Sequence, residues 1–96
     1  MATYISLVSF TDQGIRNVKD TVDRFAKFET MAKNLGVTIK SAHWTVGNYD
    51  MVLVVEGPEE AAMMVLLKNG SLGNARTQTL RGFTGEEMKN FIKKMP

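Results

Sequence analysis

The chain of 96 residues contains no cysteine and no long apolar run. The lack of cysteine excludes a disulfide framework, a thiolate nucleophile and a thiolate metal site, and it fits a reducing cytoplasm. No stretch approaches the roughly 18 consecutive apolar residues that a transmembrane helix requires. The N-terminal stretch lacks the basic start of a signal peptide. We therefore expect a cytoplasmic protein without a membrane partner.

An excess of either charge is also missing. Twelve basic and ten acidic residues give a formal net charge of +2, and only Lys93 and Lys94 form a basic pair. A charge this weak does not indicate a nucleic-acid partner. The sole histidine, His43, cannot build an imidazole metal site, and no acid stands at a local spacing that would complete one. We expect neither a metal nor a cofactor.

The most informative stretch is 45–56, where a turn precedes a nearly continuous apolar run. Gly47 and Asn48 tolerate positive φ and can reverse the chain. An apolar run bounded by turn residues is typical of a strand with both faces covered. The stretch therefore predicts a central hairpin that places Tyr49 and Asp50 where it meets solvent or a partner.

Three further segments alternate as strands do, namely 3–10, 37–45 and 75–83. The second places on one face Ile39, Ser41, His43 and Thr45, and on the other Thr38, Lys40, Ala42 and Trp44. The first of them carries apolar residues on both faces, with Tyr4, Ser6, Val8 and Phe10 on one and Ile5, Leu7 and Ser9 on the other. This distribution is expected if helices cover one face of the sheet and a second subunit covers the other. An interior strand of a monomer with a layer on each face is the alternative.

Three helices complete the pattern. The first ends before Gly36, and candidate caps at Asp12, Asp20 and Thr21 predict a two-part entry. The second opens at 57–60, with Pro58 expected at the first helical position, and its wholly apolar stretch 61–67 predicts burial on all sides. The third begins with a capping box, Thr84-x-x-Glu87. The apolar stripe expected on the first helix consists of Ile15, Val18, Val22, Phe25, Ala32 and Leu35, with Phe28 and Met31 beside it.

Four stretches together resemble the GYD-domain family, which is named after a Gly-x-Tyr-Asp motif. They are Gly47-Asn48-Tyr49-Asp50 with the apolar strand that follows, and 11–21, 70–79 and 80–83. They occur in the same order as in the family and are distributed over most of the chain, from residue 11 to residue 83. The resemblance implies an α+β, ferredoxin-like β-α-β-β-α-β antiparallel sheet with a C-terminal helix, of the dimeric α+β barrel type. It predicts one domain over residues 1–96 and brings no established reaction.

Candidate ligand-binding residues lie on the predicted strands. The last strand is rich in hydrogen-bonding groups and places Thr77, Thr79 and Arg81 on one face. Such groups need partners from protein, water or a ligand, and Arg81 could pair with a carboxylate or phosphate. A solvated or cross-strand ladder is the alternative. Tyr4 and Trp44 are the aromatic candidates, although packing is the favoured role for Trp44.

Two glycine-containing segments are further candidates. Gln13-Gly14, directly after the first strand, is either a pocket rim or a glycine that lets the chain turn. The glycine-rich segment 70–74 matches neither of the phosphate-binding spacings, so it does not indicate a nucleotide site.

The leading functional interpretation is a homo-oligomeric module, a homodimer or larger, that binds a small molecule or regulates a partner. The Gly-x-Tyr-Asp hairpin, the apolar strand and the later Thr-x-Thr also resemble the effector-binding domain of the leucine-responsive regulators. The 96 residues contain no helix-turn-helix pattern, so we expect regulation through a separate partner. Gly47, Tyr49 and Asp50 are then expected to shape the hairpin or a subunit contact.

Two other functions stay open. By fold analogy, the chain could be a small cofactor-independent enzyme, an oxygenase or an isomerase. His43 would be its acid or base, and Tyr4, Tyr49 or Trp44 would place an aromatic substrate. A hydrogen-bonded structural histidine is the competing explanation for His43. The third possibility is a purely structural assembly domain that binds nothing.

Overall fold

The computed structural model describes all 96 residues and contains one antiparallel sheet with the strand order β2-β3-β1-β4. The strands are β1 (Ala2–Phe10), β2 (Thr38–Trp44), β3 (Met51–Gly57) and β4 (Ala75–Gly82). The helices are α1 (Asp12–Arg16), α2 (Thr21–Asn34), α3 (Glu59–Ser71) and α4 (Gly85–Lys94), and a 3₁₀ turn (Val18–Asp20) lies between α1 and α2. This arrangement confirms the ferredoxin-like α+β fold with its additional C-terminal helix.

One face of the sheet carries the core and α2 and α3. Buried residues of three strands pack there with Phe28 and Ala32 of α2 and with Ala61 and Val65 of α3. We call this the helical face. The strand registers place three rows of side chains across it: Trp44, Met51, Val8 and Thr77, then Ala42, Leu53, Ser6 and Thr79, then Ile39, Val55, Tyr4 and Arg81.

These rows confirm the alternation expected for β1 and β4 and correct the one expected for β2. A β-bulge lies between Ile39 and Ser41. Because a bulge inserts one extra residue, it reverses the alternation on one side of itself. Ile39 therefore shares the helical face with Trp44, while His43 points to the other side as expected.

The other side of the sheet, which we call the open face, carries five aliphatic residues and no part of the buried core. They are only partly covered within the chain, and Leu80 is 44% exposed. The open face consists of Ile5, Leu7, Ser41, His43, Val52, Val54, Gln78 and Leu80.

The hairpin between β2 and β3 is longer than predicted. Its loop spans 45–50 and is closed by the Thr45 N–H, which donates to the Asp50 carbonyl oxygen at 2.8 Å. Gly47 has φ +137°, whereas Asn48 does not adopt positive φ. The loop hydrogen bond therefore encloses six residues, and of the two residues expected to reverse the chain through positive φ only Gly47 does so.

The two-part entry to the first helix is confirmed. Thr11 caps α1 by accepting a hydrogen bond from the Gly14 N–H, and the 3₁₀ turn then leads into α2. Gly36, with φ +87°, follows the end of α2 as predicted.

The first half of the apolar stripe on this segment was wrong. Ile15, Val18 and Val22 are exposed, whereas Phe28, expected beside the stripe, is buried. The break between α1 and α2 explains Ile15 and Val18, because a 3.6-residue period cannot be continued across a change of helix axis. Val22 lies in the first turn of α2 itself, on its exposed side.

α3 is buried on one side only, so the burial expected on all sides is not achieved within one chain. Ala61, Ala62 and Val65 are buried, while Met63 and Leu67 are more than half exposed.

None of the four helices is both long and apolar enough to span a membrane.

α4 begins with the predicted capping box. The Thr84 N–H donates to Glu87 Oε1 at 3.0 Å, and the Glu87 N–H donates to Thr84 Oγ1 at 3.1 Å. The hydrogen bond from the Thr84 backbone lowers the pKa of the Glu87 carboxyl below its ordinary value. A depressed pKa means that ionised Glu87 stabilises α4 above the unfolded pKa, and that this stabilisation is lost as pH falls through the folded pKa.

We therefore expect α4 to fray in acid at a pH set by Glu87. An NMR titration should give the Glu87 carboxyl a midpoint below that of an ordinary glutamate. As the pH falls through this midpoint, the amide hydrogen exchange rates of α4 should rise relative to the intrinsic rates at the same pH. Thr84→Ala removes one hydrogen bond of the box and is expected to loosen α4 at neutral pH. An ordinary midpoint for Glu87 in the unmodified protein would contradict the prediction.

Candidate functional site

A cleft with a volume of about 490 Å³ lies between α2 and α3 on the helical face. This volume is within the range usual for small-molecule sites. Nine of its fifteen lining residues are hydrophobic. The cleft is lined by Val8, Phe10, Met51, Leu53 and Ala75 of the sheet, by Thr21, Arg24, Phe25, Lys27, Phe28 and Met31 of α2, and by Lys68, Asn69, Leu72 and Asn74 of α3 and the loop after it.

The floor of the cleft is apolar because three strands contribute core residues to it. Val8, Met51 and Leu53 are buried, and Phe28 closes over them from α2. A surface of this kind offers no hydrogen-bonding group to water, so it favours an apolar occupant.

The charged residues that line the cleft are all basic: Arg24, Lys27 and Lys68. Arg24 is half-buried, and its guanidinium carbon lies 5.6 Å from the centre of the Phe10 ring. Lys27 and Lys68 are exposed and also line a second, shallower groove between the outer sides of α2 and α3. The two lysines therefore stand on opposite helices where the cleft opens to solvent.

The end wall of the cleft is a loop that Gln13-Gly14 holds in place. The Gln13 side-chain amide donates to the Leu72 carbonyl oxygen at 3.1 Å and to Asn74 Oδ1 at 2.9 Å. The Thr11 hydroxyl donates to the Gly73 carbonyl oxygen at 2.6 Å. Gly14 has no positive φ, so a turn does not explain the glycine. Its lack of a side chain instead lets the Asn74 backbone approach closely.

Asp50 ties the hairpin to the end of β1. Its carboxylate accepts a hydrogen bond from the Phe10 N–H at 2.7 Å, and its own N–H donates to the Val8 carbonyl oxygen at 2.8 Å. Because Val8 and Phe10 both line the cleft, Asp50 supports the cleft floor from outside it.

We expect Asp50→Ala to lower the free energy of unfolding by about 2 kcal/mol, since the Phe10 N–H loses a charged acceptor. Urea denaturation followed by circular dichroism measures this loss, and subunit number should be recorded on the same samples. Glu29→Ala is the matched control, because it removes an exposed carboxylate from α2 and should stay within about 0.5 kcal/mol. Unchanged stability and assembly in Asp50→Ala would contradict a structural role.

The candidate ligand residues of β1 and β4 come together, but none of them lines the cleft. Thr79 Oγ1 lies 2.9 Å from the hydroxyl of buried Ser6. Arg81 lies between two aromatic rings, with its guanidinium carbon 4.3 Å from the Phe83 centroid and 5.7 Å from the Tyr4 centroid. Thr77 is exposed on the same face.

Trp44 lies one layer outside the cleft. Its indole Nε1–H donates to Thr21 Oγ1 at 3.1 Å, and its ring meets Phe25 edge-on at a centroid distance of 5.5 Å. Thr21 and Phe25 both line the cleft. Trp44 therefore positions lining residues and can report on them.

Tyr49 and His43 lie on the opposite side of the sheet from the cleft. The Tyr49 hydroxyl donates to Gln78 Oε1 at 2.8 Å, which places this side chain over the open face. His43 is exposed and pairs with Val52 in the same face. The structure thus separates the sole histidine from the cleft.

Sequence reasoning missed most of the cleft. Its basic residues Arg24, Lys27 and Lys68 look like ordinary surface charges on amphipathic helices. A weak signal was present in Phe28 and Met31, which are bulky apolar residues outside the expected stripe.

Comparison with known proteins agrees with this fold. A family model described as GYD domain matches residues 4–92, which include most of β1, the other three strands and most of α4. A relative from Thermus thermophilus, named glutamine synthetase and cystathionine beta-lyase binding protein, is 29% identical over 82 residues. That alignment covers 83% of this chain and 86% of the relative. The resemblance carried by the Gly47–Asp50 motif is therefore confirmed, and the chain belongs to the GYD-domain family.

Proposed function

We propose that this chain is a homo-oligomeric binding module that holds a small molecule in the cleft and acts on a protein partner. The cleft carries the proposal, because it is a preformed apolar volume that the chain's own side chains leave unfilled. A purely structural domain would be expected to fill such a space, since protein interiors pack closely.

The lining residues favour binding over turnover. The polar side chains of the cleft are arginine, lysine, asparagine and threonine, with no carboxylate and no imidazole. At neutral pH these side chains can donate hydrogen bonds and attract an anion, but none is a good proton acceptor. We therefore prefer a binding module to the cofactor-independent enzyme.

Exposed apolar surface supports the homo-oligomer. Only 14 of the 96 residues are buried, which leaves a small core for one chain. The open face adds a sheet surface of five aliphatic residues, and α4 adds a stripe of Met88, Phe91, Ile92 and Met95, each at least 45% exposed. Apolar surface on this scale is typical of association sites. We propose that two copies pack through their open faces.

The name of the Thermus relative supports a protein partner. That protein is named for binding glutamine synthetase and cystathionine beta-lyase. We extend to this chain only the class of activity, which is the binding of another protein. The proposal places the module in the cytoplasm, in keeping with its lack of cysteine.

Native mass spectrometry of protein purified gently from its source organism tests the proposal. We expect a dimer or a higher multiple that carries an additional mass, and we expect this mass to leave on acid denaturation. Ala75→Leu, which puts a larger side chain at the cleft floor, should keep the subunit number and lose the additional mass. A monomer would contradict the assembly, and an oligomer with no additional mass would count against a resident small molecule.

A further inference from the structure

We infer that the cleft selects a molecule with an apolar body and one anionic group, with the anion at the mouth between α2 and α3. The inference rests on the proposed small-molecule function and gives its ligand a chemical class. A monocarboxylate with an aliphatic or aromatic body is the simplest molecule of this class.

The side chains inside the cleft favour a ligand with an apolar body. The deepest lining residues are core side chains of β1 and β3, with Phe25, Phe28 and Met31 above them. A polar group placed among them would lose its hydration without gaining a partner, at a cost in affinity. Methionine and phenylalanine adapt to aliphatic and aromatic bodies alike, so the interior selects for apolar character rather than for one shape.

The basic residues at the mouth of the cleft favour an anionic group on the ligand. Three cationic side chains and no acidic one line the cleft, although the chain as a whole is nearly balanced in charge. The positive field of Arg24, Lys27 and Lys68 is therefore not cancelled by a neighbouring carboxylate in the lining. A carboxylate at this position would gain charge-assisted hydrogen bonds, whereas an ammonium group would be repelled.

Arg24 fixes where the anion lies. Its Nη1 donates to the Asn17 carbonyl oxygen at 2.6 Å, and its Nη2 donates to the Gly14 carbonyl oxygen at 3.2 Å. These bonds use two of the five N–H groups of a guanidinium and hold it against the Phe10 ring. Arg24 is thus a fixed charge at the rim, while Lys27 and Lys68 are free to close on the anion from either helix.

A matched series of eight-carbon probes tests the inference: octanoate, octan-1-ol and octylammonium. Their binding to the full chain is measured by isothermal titration calorimetry and by the emission of Trp44, which contacts the lining residue Phe25. We expect octanoate to bind at least about tenfold more tightly than octanol, and octylammonium to bind more weakly than both.

Two double variants with the same change in net charge identify the groups responsible. K27Q/K68Q is expected to weaken octanoate binding by about tenfold and to leave octanol binding unchanged. K19Q/K33Q removes two exposed lysines that do not line the cleft and should leave both affinities unchanged. Arg24 is retained in both variants because it also holds the backbone of α1 and of Asn17, which links α1 to the 3₁₀ turn.

The outcomes distinguish a failure of the anionic ligand class from a failure of the proposed small-molecule function. Equal affinity for octanoate and octanol would overturn the anionic class while leaving a small-molecule site in place. Equal losses of octanoate affinity in the two double variants would also overturn the anionic class. The loss would then depend on the net charge of the chain and not on the two lysines at the mouth of the cleft. No binding of any probe by a folded oligomer would overturn the anionic class and the proposed ligand site together.

Discussion

Gly14→Ala is expected to lower the free energy of unfolding by about 3 kcal/mol, the upper part of the usual range for overpacking. An ideal Cβ at this position would lie 2.0 Å from the carbonyl oxygen of Asn74. The added Cβ is fixed to the backbone of residue 14, and the atom that it meets belongs to the backbone of Asn74, so no side-chain rotation relieves the clash. The loop after α3 must move away from α1, and the hydrogen bonds of Thr11 and Gln13 to that loop are lost with it.

Gly85→Ala is the matched control for this prediction. Gly85 is the first residue of α4 and has no positive φ, and no atom lies within 4 Å of the position that an added methyl group would occupy. Alanine there should leave stability unchanged or raise it by up to about 1 kcal/mol. Urea denaturation followed by Trp44 emission and far-ultraviolet circular dichroism measures both variants. Equal denaturation midpoints for Gly14→Ala and the unmodified chain would show that the loop accommodates the methyl group.

The sequence was sufficient for the fold because its signals are local. Alternation in 3–10 and 75–83, the apolar run after the hairpin and the capping box at Thr84 each predict one element from neighbouring residues. Two of the errors arose where a local period was interrupted, at the β-bulge after Ile39 and at the break before α2. A single inserted or irregular residue changes the phase of every residue beyond it.

The cleft could not be predicted in the same way because it is a space between elements. Arg24 and Lys68 stand on different helices, and no local period relates them. The role of Gly14 was equally inaccessible, since it depends on the approach of Asn74, sixty residues later in the chain. The polar residues of β4 were predicted as candidate ligand contacts from the sequence. In the structure the Thr79 hydroxyl lies instead within hydrogen-bonding distance of the Ser6 hydroxyl on the adjacent strand.

Val54→Glu is expected to convert the proposed homo-oligomer into monomers. Val54 lies on the open face in a row with Ser41, Ile5 and Leu80. If two copies pack through this face with twofold symmetry, two carboxylates enter one apolar interface. Burying unpaired like charges costs several kcal/mol, and about 3 kcal/mol already weakens association more than a hundredfold. Sedimentation velocity over a concentration series measures the shift.

Val22→Glu is the matched control, because it makes the same substitution at an exposed valine of α2, away from the open face. We expect Val22→Glu to keep the subunit number of the unmodified chain, and both variants to keep its circular dichroism spectrum. Monomers in both variants would contradict the assignment of the interface to the open face. An unchanged oligomer in Val54→Glu would contradict it as well.

The monomeric Val54→Glu variant also tests whether assembly and the cleft are coupled. The substitution lies on the opposite side of the sheet from the cleft, and none of the lining residues belongs to the open face. We therefore expect its affinity for octanoate to stay within about twofold of the unmodified chain, since a coupling free energy requires that binding and association each favour one conformation of the sheet over another. A larger change would show that the sheet itself transmits ligand binding to the interface, and reciprocity then requires octanoate to shift the dimerisation constant by the same factor for each subunit that it occupies.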